Sequence, residues 1–563
     1  MPPEPAAGRG ALIDDRDLVG WWDLAADGQD RSGHGLHAVP LGSISYGPSG
    51  NPGSAGPVAR FAGEGHLEVA GVAIGRTDFS LTAWVNPSGA TTAIGDVAAA
   101  FDPAARQGFS LGVSHSSSCG NHGNDRNLFF GLDAGSDVRW TEHGRPSPST
   151  VMVCALAVHD GDLYAGTWQA GESTVGRVYR LAGDGWVDCG APWSSNAVTR
   201  LATHDGHLYA GVSRLRGGGS GLADSHNQVP GGRVLRYEGG SDWSDCGQLD
   251  GADSIAGLVP FDGALYAIPM YSEGVFRLTG TDTWISCGSP GRRLLALGVH
   301  DGALYGAGND HADVVSAIAQ TAAGIVVPAR SSAGGGGMFQ FDGGSSWSSL
   351  GLQPDTTQVY SIETYDGGLF IGTWPHGIVF RHRGGDTWER SGQLGDETEV
   401  MNLLAYNGML YAGTLPGAKV LRLDGDGHWS EVGTLDRTPD VLYRRAASMV
   451  VFRGELFCGT LPSGTVHSMH AGLVVSDDRA LTAGWRHVAA VRAGPMIELH
   501  VDGLLVARRR DDETPSALDL GAVPLVLGGG PRGGFDGELA DVRLYRRGLD
   551  ATELGALAAG GRS

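Results

Sequence analysis

A short segment, LAVHDGDLYAGTW (156–168), occurs seven times in this chain. It recurs as LATHDGHLYAGVS (201–213), LVPFDGALYAIPM (258–270), LGVHDGALYGAGN (297–309), IETYDGGLFIGTW (362–374), LLAYNGMLYAGTL (403–415) and MVVFRGELFCGTL (449–461). Self-similarity at this spacing fixes the architecture before any local reading, because each repeat must be one stacking unit. Each copy reads as two strands around a tight turn. Asp-Gly and Asn-Gly supply the positive φ angles of a two-residue hairpin. A third strand follows, as in GRVYRL (176–181), GRVLRY (232–237) and AKVLRL (418–423). A fourth carries one tryptophan: Trp186, Trp243, Trp284, Trp347, Trp388 or Trp429.

Four short antiparallel strands per repeat of roughly 40 residues describe a β-propeller blade, here in seven copies. The seventh copy has a third strand, GTVHSM (464–469), but no tryptophan strand after it. VRWTEHGRP (138–146) resembles GWVDCGAP (185–192) and DTWERSGQL (386–394). Trp140 is therefore expected on the outer strand of the last blade. Shared ends would close the ring and remove its free edge.

The flanks follow another pattern. LVGWWDLAADGQDRSGHGLHA (18–38), RFAGEGHLEVA (60–70) and DFSLTAWVNP (78–87) precede the repeats. LTAGWRHVAAVRAGPMIELHVDGLLVARR (481–509) and GGFDGELADVRLYRRGLDATEL (533–554) follow them. In order, these motifs resemble those of the laminin G-like, concanavalin A-like jelly rolls. Neither flank has strands enough to bury a core alone. The fold class expected is all-β: a seven-bladed β-propeller inserted into a discontinuous concanavalin A/laminin G-like β-sandwich. Its parts would be a first jelly-roll part (1–136), the propeller (137–470) and a second jelly-roll part (471–563). The insertion is expected in a loop near 128–137 on one side and 470–475 on the other. Asp23, Asp27 and Asp30 read as a polar turn, with structural calcium as the alternative. No other cofactor or metal is expected.

The net charge of −22 argues against nucleic acid as a partner, since phosphate binding needs a basic footprint. The first residues, MPPEPAAGRGALIDD, lack the pattern of a signal peptide, and no apolar run reaches membrane-spanning length. No membrane partner is expected; location by default is cytoplasmic, or extracellular by another export route. Cys119, Cys154, Cys189, Cys246, Cys287 and Cys458 form no CxxC or metal-like spacing and read as small buried residues.

Chemistry is expected at the propeller mouth, where the repeats diverge, and not at the short HDG turns with His159, His204 and His300. The mouth gathers Arg, His, Tyr and Trp on an acidic protein. That composition suits an acidic polysaccharide or oligosaccharide: aromatic faces for sugar rings, guanidinium forks for carboxylates. The order of His226 in blade 2, Tyr271 in blade 3 and Arg292/Arg293 entering blade 4 resembles that in seven-bladed polysaccharide lyases such as the ulvan lyases. The resemblance implies these four as the catalytic set of a β-elimination. Arg200, Arg214, Asn227, Asn309, His311, Tyr360, Trp374, His376, Tyr443 and Arg445 are the expected substrate-binding residues. Counting back nine positions from the turn glycine sets Arg293 and Arg445 at one depth. Two alternatives stand beside the lyase. One is a glycan- or protein-binding module without chemistry. The other is a glycoside hydrolase drawing carboxylates from Glu273, Asp310, Asp313 and Glu399.

Overall fold

The computed structural model describes residues 15–48, 50, 56–72, 78–88, 95–171, 174–309, 319–321, 324–326, 336–425, 427–510, 518 and 523–560. Seven four-stranded antiparallel units form a ring. Blade 1, for example, runs Thr150–His159, Asp162–Gln169, Val178–Ala182 and Gly185–Asp188. The chemistry of the repeat explains the unit. In all seven turns both central residues have positive φ, from Asp160 (47°) and Gly161 (85°) to Arg453 (50°) and Gly454 (70°). That is the turn whose twist matches a two-residue hairpin.

The tryptophans join the blades. Trp243 Nε1 donates to the Cys189 carbonyl, Trp284 to Cys246 and Trp347 to Cys287. Trp388 donates to Leu350 and Trp429 to Ser391. Each indole thus reaches the outer edge of the preceding blade at 2.7–3.0 Å. Trp140 and Trp186 complete the belt, donating to Val432 and His143. Arg139–Glu142 pairs with Val466–His470, so the ring closes through Trp140's strand, as its sequence led one to expect. All six cysteines are buried and free.

The flanks build two packed sheets. Phe79–Pro87 lies between Arg486–Ala493 and Asp536–Tyr545, so a strand from before the ring is held on both sides by strands from after it. In the second sheet Asn121–Ala134 pairs with Leu473–Ala480. Trp22, Phe79, Phe109, Phe130 and Phe535 fill the space between the sheets. The single described α-helix, Ala551–Ala558, opens on a capping box from Asp550 and Glu553. Among the three aspartates of the early turn, Asp23 and Asp27 both bind Arg31, and Asp30 accepts from the N–H groups of Trp21, Ser32 and Leu36.

One expectation fails. The segment near 128–137 is no simple loop: Asn121–Ala134 is a continuous strand. With Gln107–Ser118 it makes a hairpin that leaves the sandwich and runs into the bore of the ring. Each of the seven innermost strands lies against one strand of this hairpin or the other. Polar side chains tie it there. Leu201 N donates to Asn121 Oδ1 (3.1 Å), and Leu258 N to the Gly120 carbonyl (2.9 Å). Asn124 exchanges two bonds with the Val451 backbone, at 2.8 and 3.0 Å. The segment SHSSSCGNHGND (114–125) is too polar to read as core. Its His115, Ser116, Asn121, His122 and Asn124 are buried, and the ring supplies partners for Asn121 and Asn124.

The sandwich covers the end of the ring that bears the short turns. Asn407 Nδ2 donates to the Leu132 and Ala471 carbonyls, and Gly161 N to the Asp478 carbonyl. Arg453 N faces both carboxylate oxygens of Asp478, while Gly454 N donates to Ser476 Oγ. Chemistry that needs access is thereby left to the opposite end.

Candidate functional site at the open mouth

At the open end the tip of the hairpin forms the floor. Cys119 packs there with Met401 and Leu415, and with the half-buried Tyr360 and Tyr443. The ring is therefore a blind recess and not a tunnel.

Above this floor the innermost strands bring in one side chain each at the level nine residues before the turn glycine. Arg293 and Arg445 stand there, and so do Gln358 and Glu399. Glu399 is 3% exposed, and its Oε1 has no hydrogen-bond partner. Burial raises its carboxyl above the usual range, against the pull of Arg445 and of the neighbouring Tyr360 hydroxyl. Burial pushes the Tyr360 phenol well up, and the Glu399 charge adds to that while Arg445 and Arg293 oppose it. The Tyr360 hydroxyl donates its one proton to Gln358 Oε1. Asn309 adjoins Gln358 through an isolated bridge; its backbone N–H donates to the Arg293 carbonyl (2.8 Å), and its buried Oδ1 lacks a partner. Arg293 Nη1 donates to the Met270 carbonyl (3.2 Å), and burial lowers its guanidinium pKa.

The long blade 2 loop closes one side. Its Leu215 and Leu222 pack on Met152, Trp168 and Ala447. Its Ser220 Oγ accepts from Arg445 Nη1 (3.3 Å), and Gly221 lies against Tyr443.

Of the expected catalytic set, Tyr271 and Arg293 share this region and feel each other electrostatically. His226 stands exposed on the blade 2 loop, and Arg292 is half-exposed. The Tyr271 hydroxyl accepts from Arg216 N (3.1 Å), and the Arg216 guanidinium covers its ring at 4.2 Å. Tyr271 is thus engaged by Arg216 and not by His226. Among the expected binding residues, Asn309, Tyr360, Tyr443 and Arg445 come together at the recess. Arg200 is buried beneath it, donating to the Ala256 and Thr199 carbonyls. Arg214 holds Asp253 at 2.6 Å, and Asn227 ties the loop to the Thr174 and Ser194 carbonyls. Trp374 and His376 are half-buried at the end of blade 5. His311, with Asp310 and Asp313, lies outside the described residues. Sequence reading missed Gln358 and named Glu399 only as a hydrolase carboxylate. The count that found the two arginines, carried through every repeat, finds both.

A family profile described as the concanavalin A-like lectin/glucanases superfamily (Laminin_G_3) matches residues 459–555. No curated protein sequence matches the chain. Among solved structures, a catalytically inactive virginiamycin B lyase from Staphylococcus aureus with quinupristin is similar at 13% identity, 60% of this chain, 100% of that chain and TM-score 0.43. Saccharomyces cerevisiae Sqt1 is similar at 11% identity, covering 59% of this chain and 98% of its own, with TM-score 0.32. A gluconolactonase from Xanthomonas campestris is similar at 13% identity, covering 59% and 100%, with TM-score 0.32. By its own strand topology and the profile match, the chain is a nearly all-β protein that combines a propeller with a concanavalin A-like domain.

Proposed function

We propose that the open mouth binds an acidic saccharide and cleaves it by β-elimination. One observation carries the reading: on a protein of net charge −22, four neighbouring or nearby blades line one recess with Arg293, Tyr360, Glu399 and Arg445. The description of the matching superfamily, lectins and glucanases, agrees with a carbohydrate-directed protein.

The arginines would hold the uronate carboxylate, which makes the adjacent C–H more acidic. Glu399, with its raised pKa, is a stronger base than a solvated glutamate once ionised. It takes the proton from the carbon next to the carboxylate. The electron pair forms the C=C bond, and the C–O bond to the leaving sugar breaks. Tyr360, kept protonated by burial, gives its proton to the departing oxygen. Glu399 then releases its proton to solvent, and Tyr360 takes one up from solvent, which restores both groups. The blind floor means that a polymer lies across the mouth or enters by its end.

A panel of uronic-acid polymers, followed at the near-ultraviolet absorbance of unsaturated products, tests this. Turnover that vanishes in Glu399→Gln and Tyr360→Phe supports it; no absorbance change with any polymer removes the elimination step. A second reading, binding without chemistry, is favoured by one fact: the Tyr360 and Tyr271 hydroxyls already have protein partners. Calorimetric binding of the same polymers without absorbance change would establish it.

A further inference from the structure

The axial hairpin carries a second group of side chains, nearer the covered end of the ring. His115 comes from its first strand, His122 and Asp125 from its second. Asp125 Oδ1 lies 3.1 Å from His115 Nδ1 and 3.8 Å from His122 Nε2. One donor atom from each residue falls within 4.8 Å of the other two. The imidazole rings stand 4.4 Å apart at 64°. His115 is 7% exposed and His122 2%. The two nitrogens that face the carboxylate make no hydrogen bond of acceptable geometry, although both are buried. Two buried imidazole nitrogens that converge on one carboxylate oxygen are the donor arrangement that a cation bound by all three requires.

We propose that His115, His122 and Asp125 bind a divalent transition-metal ion of the zinc class, within the bore of the ring. Nitrogen ligands select such ions over calcium or magnesium. Bonds of about 2.0–2.1 Å at tetrahedral angles separate ligand atoms by about 3.3 Å, between the two distances seen. Two neutral imidazoles and one carboxylate leave a net positive charge with a divalent ion, and a fourth position for water. His115 also lines a cavity of about 30 Å³ with Glu363 and Arg532, room enough for that water. The hairpin ladder slips register between Ser114 and Ser116 and again between Ser116 and Ser117. The ion would staple the two strands where their own pairing is weakest. It would thereby fix the tip that floors the mouth.

The full chain, stripped with a chelator, tests the site. Titration with Co²⁺ should give one equivalent with ligand-field bands of a low-coordinate nitrogen–oxygen site, displaced by Zn²⁺. Zinc should raise the melting temperature. That equivalent should be lost in His115→Ala/His122→Ala and in Asp125→Asn, and kept in His34→Ala/His66→Ala. A wild-type protein that takes up neither ion, or uptake unchanged in the double variant, overturns the proposal. Should the variants not fold, X-ray absorption of the zinc-loaded wild type decides alone. Two imidazole ligands support the site; none, or thiolate sulfur, refutes it. None of these readouts depends on saccharide binding or turnover at the mouth.

Discussion

At the covered end of the ring the turns are two residues long, and several give their N–H groups to the sandwich. At the open end the loops vary from blade to blade, and their cations hold partners within those loops, as Arg214 holds Asp253 and Arg445 holds Ser220. The same strands feed both ends, so the repeat alone does not dictate the contrast. Identity between repeats survives where a turn must fit a hairpin or a neighbour. Divergence collects at the end that the sandwich does not cover. The stable end therefore reads as a repeat, and the chemical end as a set of exceptions.

The comparison breaks most readily at its tightest point. A Cβ on Gly454, at φ +70°, would sit 2.2 Å from the Val474 carbonyl oxygen, whereas one on Gly206, at φ +71°, meets nothing within 4 Å. Gly454→Ala should cost about 3 kcal/mol or more, from strain plus overpacking. Gly206→Ala should cost about 1 kcal/mol, from conformation alone. Denaturant unfolding of the two variants measures the difference, and equal losses would mean that the sandwich does not seal blade 7.

The covered end should also respond to pH. Burial raises Asp96 and Glu363 to about 7 each, with Arg532 opposing. A carboxyl whose folded pKa is raised binds more protons in the native state. Its contribution is fully present below the unfolded value near 4 and is lost as pH rises through about 7. Stability should therefore fall between about pH 4 and 7. Each of Glu363→Gln and Asp96→Asn should flatten that slope, by on the order of 1–2 kcal/mol over the interval. Unfolding curves with chelator present, compared with wild type at each pH, isolate the effect from that of histidines.

At the open end the largest effects should fall on ligand and not on stability. Arg293→Ala/Arg445→Ala should weaken acidic-saccharide binding by about 10- to 100-fold, the scale of one or two charge-assisted bonds. Its unfolding free energy should fall by less than that of Gly454→Ala. Smallest of all, His226→Ala on the exposed loop should change stability by less than about 0.5 kcal/mol and leave turnover intact. A loss of turnover there would restore the His226–Tyr271 pair in place of Tyr360 and Glu399.

The ring, its closing strand and the jelly-roll motifs were legible because each depends on a local pattern. The turns need Asp-Gly or Asn-Gly, and Trp140 sits in a context like that of Trp186. The axial hairpin was not legible. Asn121 and Asn124 are buried by partners 80 and 327 residues away, Leu201 and Val451, and no periodicity reports such a partner. The site was half legible. Arg293 and Arg445 stood out as charges at a repeat position, but Gln358 did not, and Arg200 proved to be an anchor. Side chains that hold a loop and side chains that hold a ligand are drawn from the same residue types. Only their partners tell them apart: Asp253 for Arg214, and the carbonyls of Thr174 and Ser194 for Asn227.

Repeat arrays ordinarily change length by duplicating or deleting a unit, since each unit touches only its neighbours. This array lacks that freedom. Its bore is filled by a hairpin of fixed girth, in contact with all seven inner strands. A lost blade would clash with that axle, and a gained one would leave Asn121 and Asn124 facing a gap. The hairpin also precedes every complete blade in the chain, so it is synthesised before the ring that will surround it. The number seven is held here by the part that belongs to the other fold.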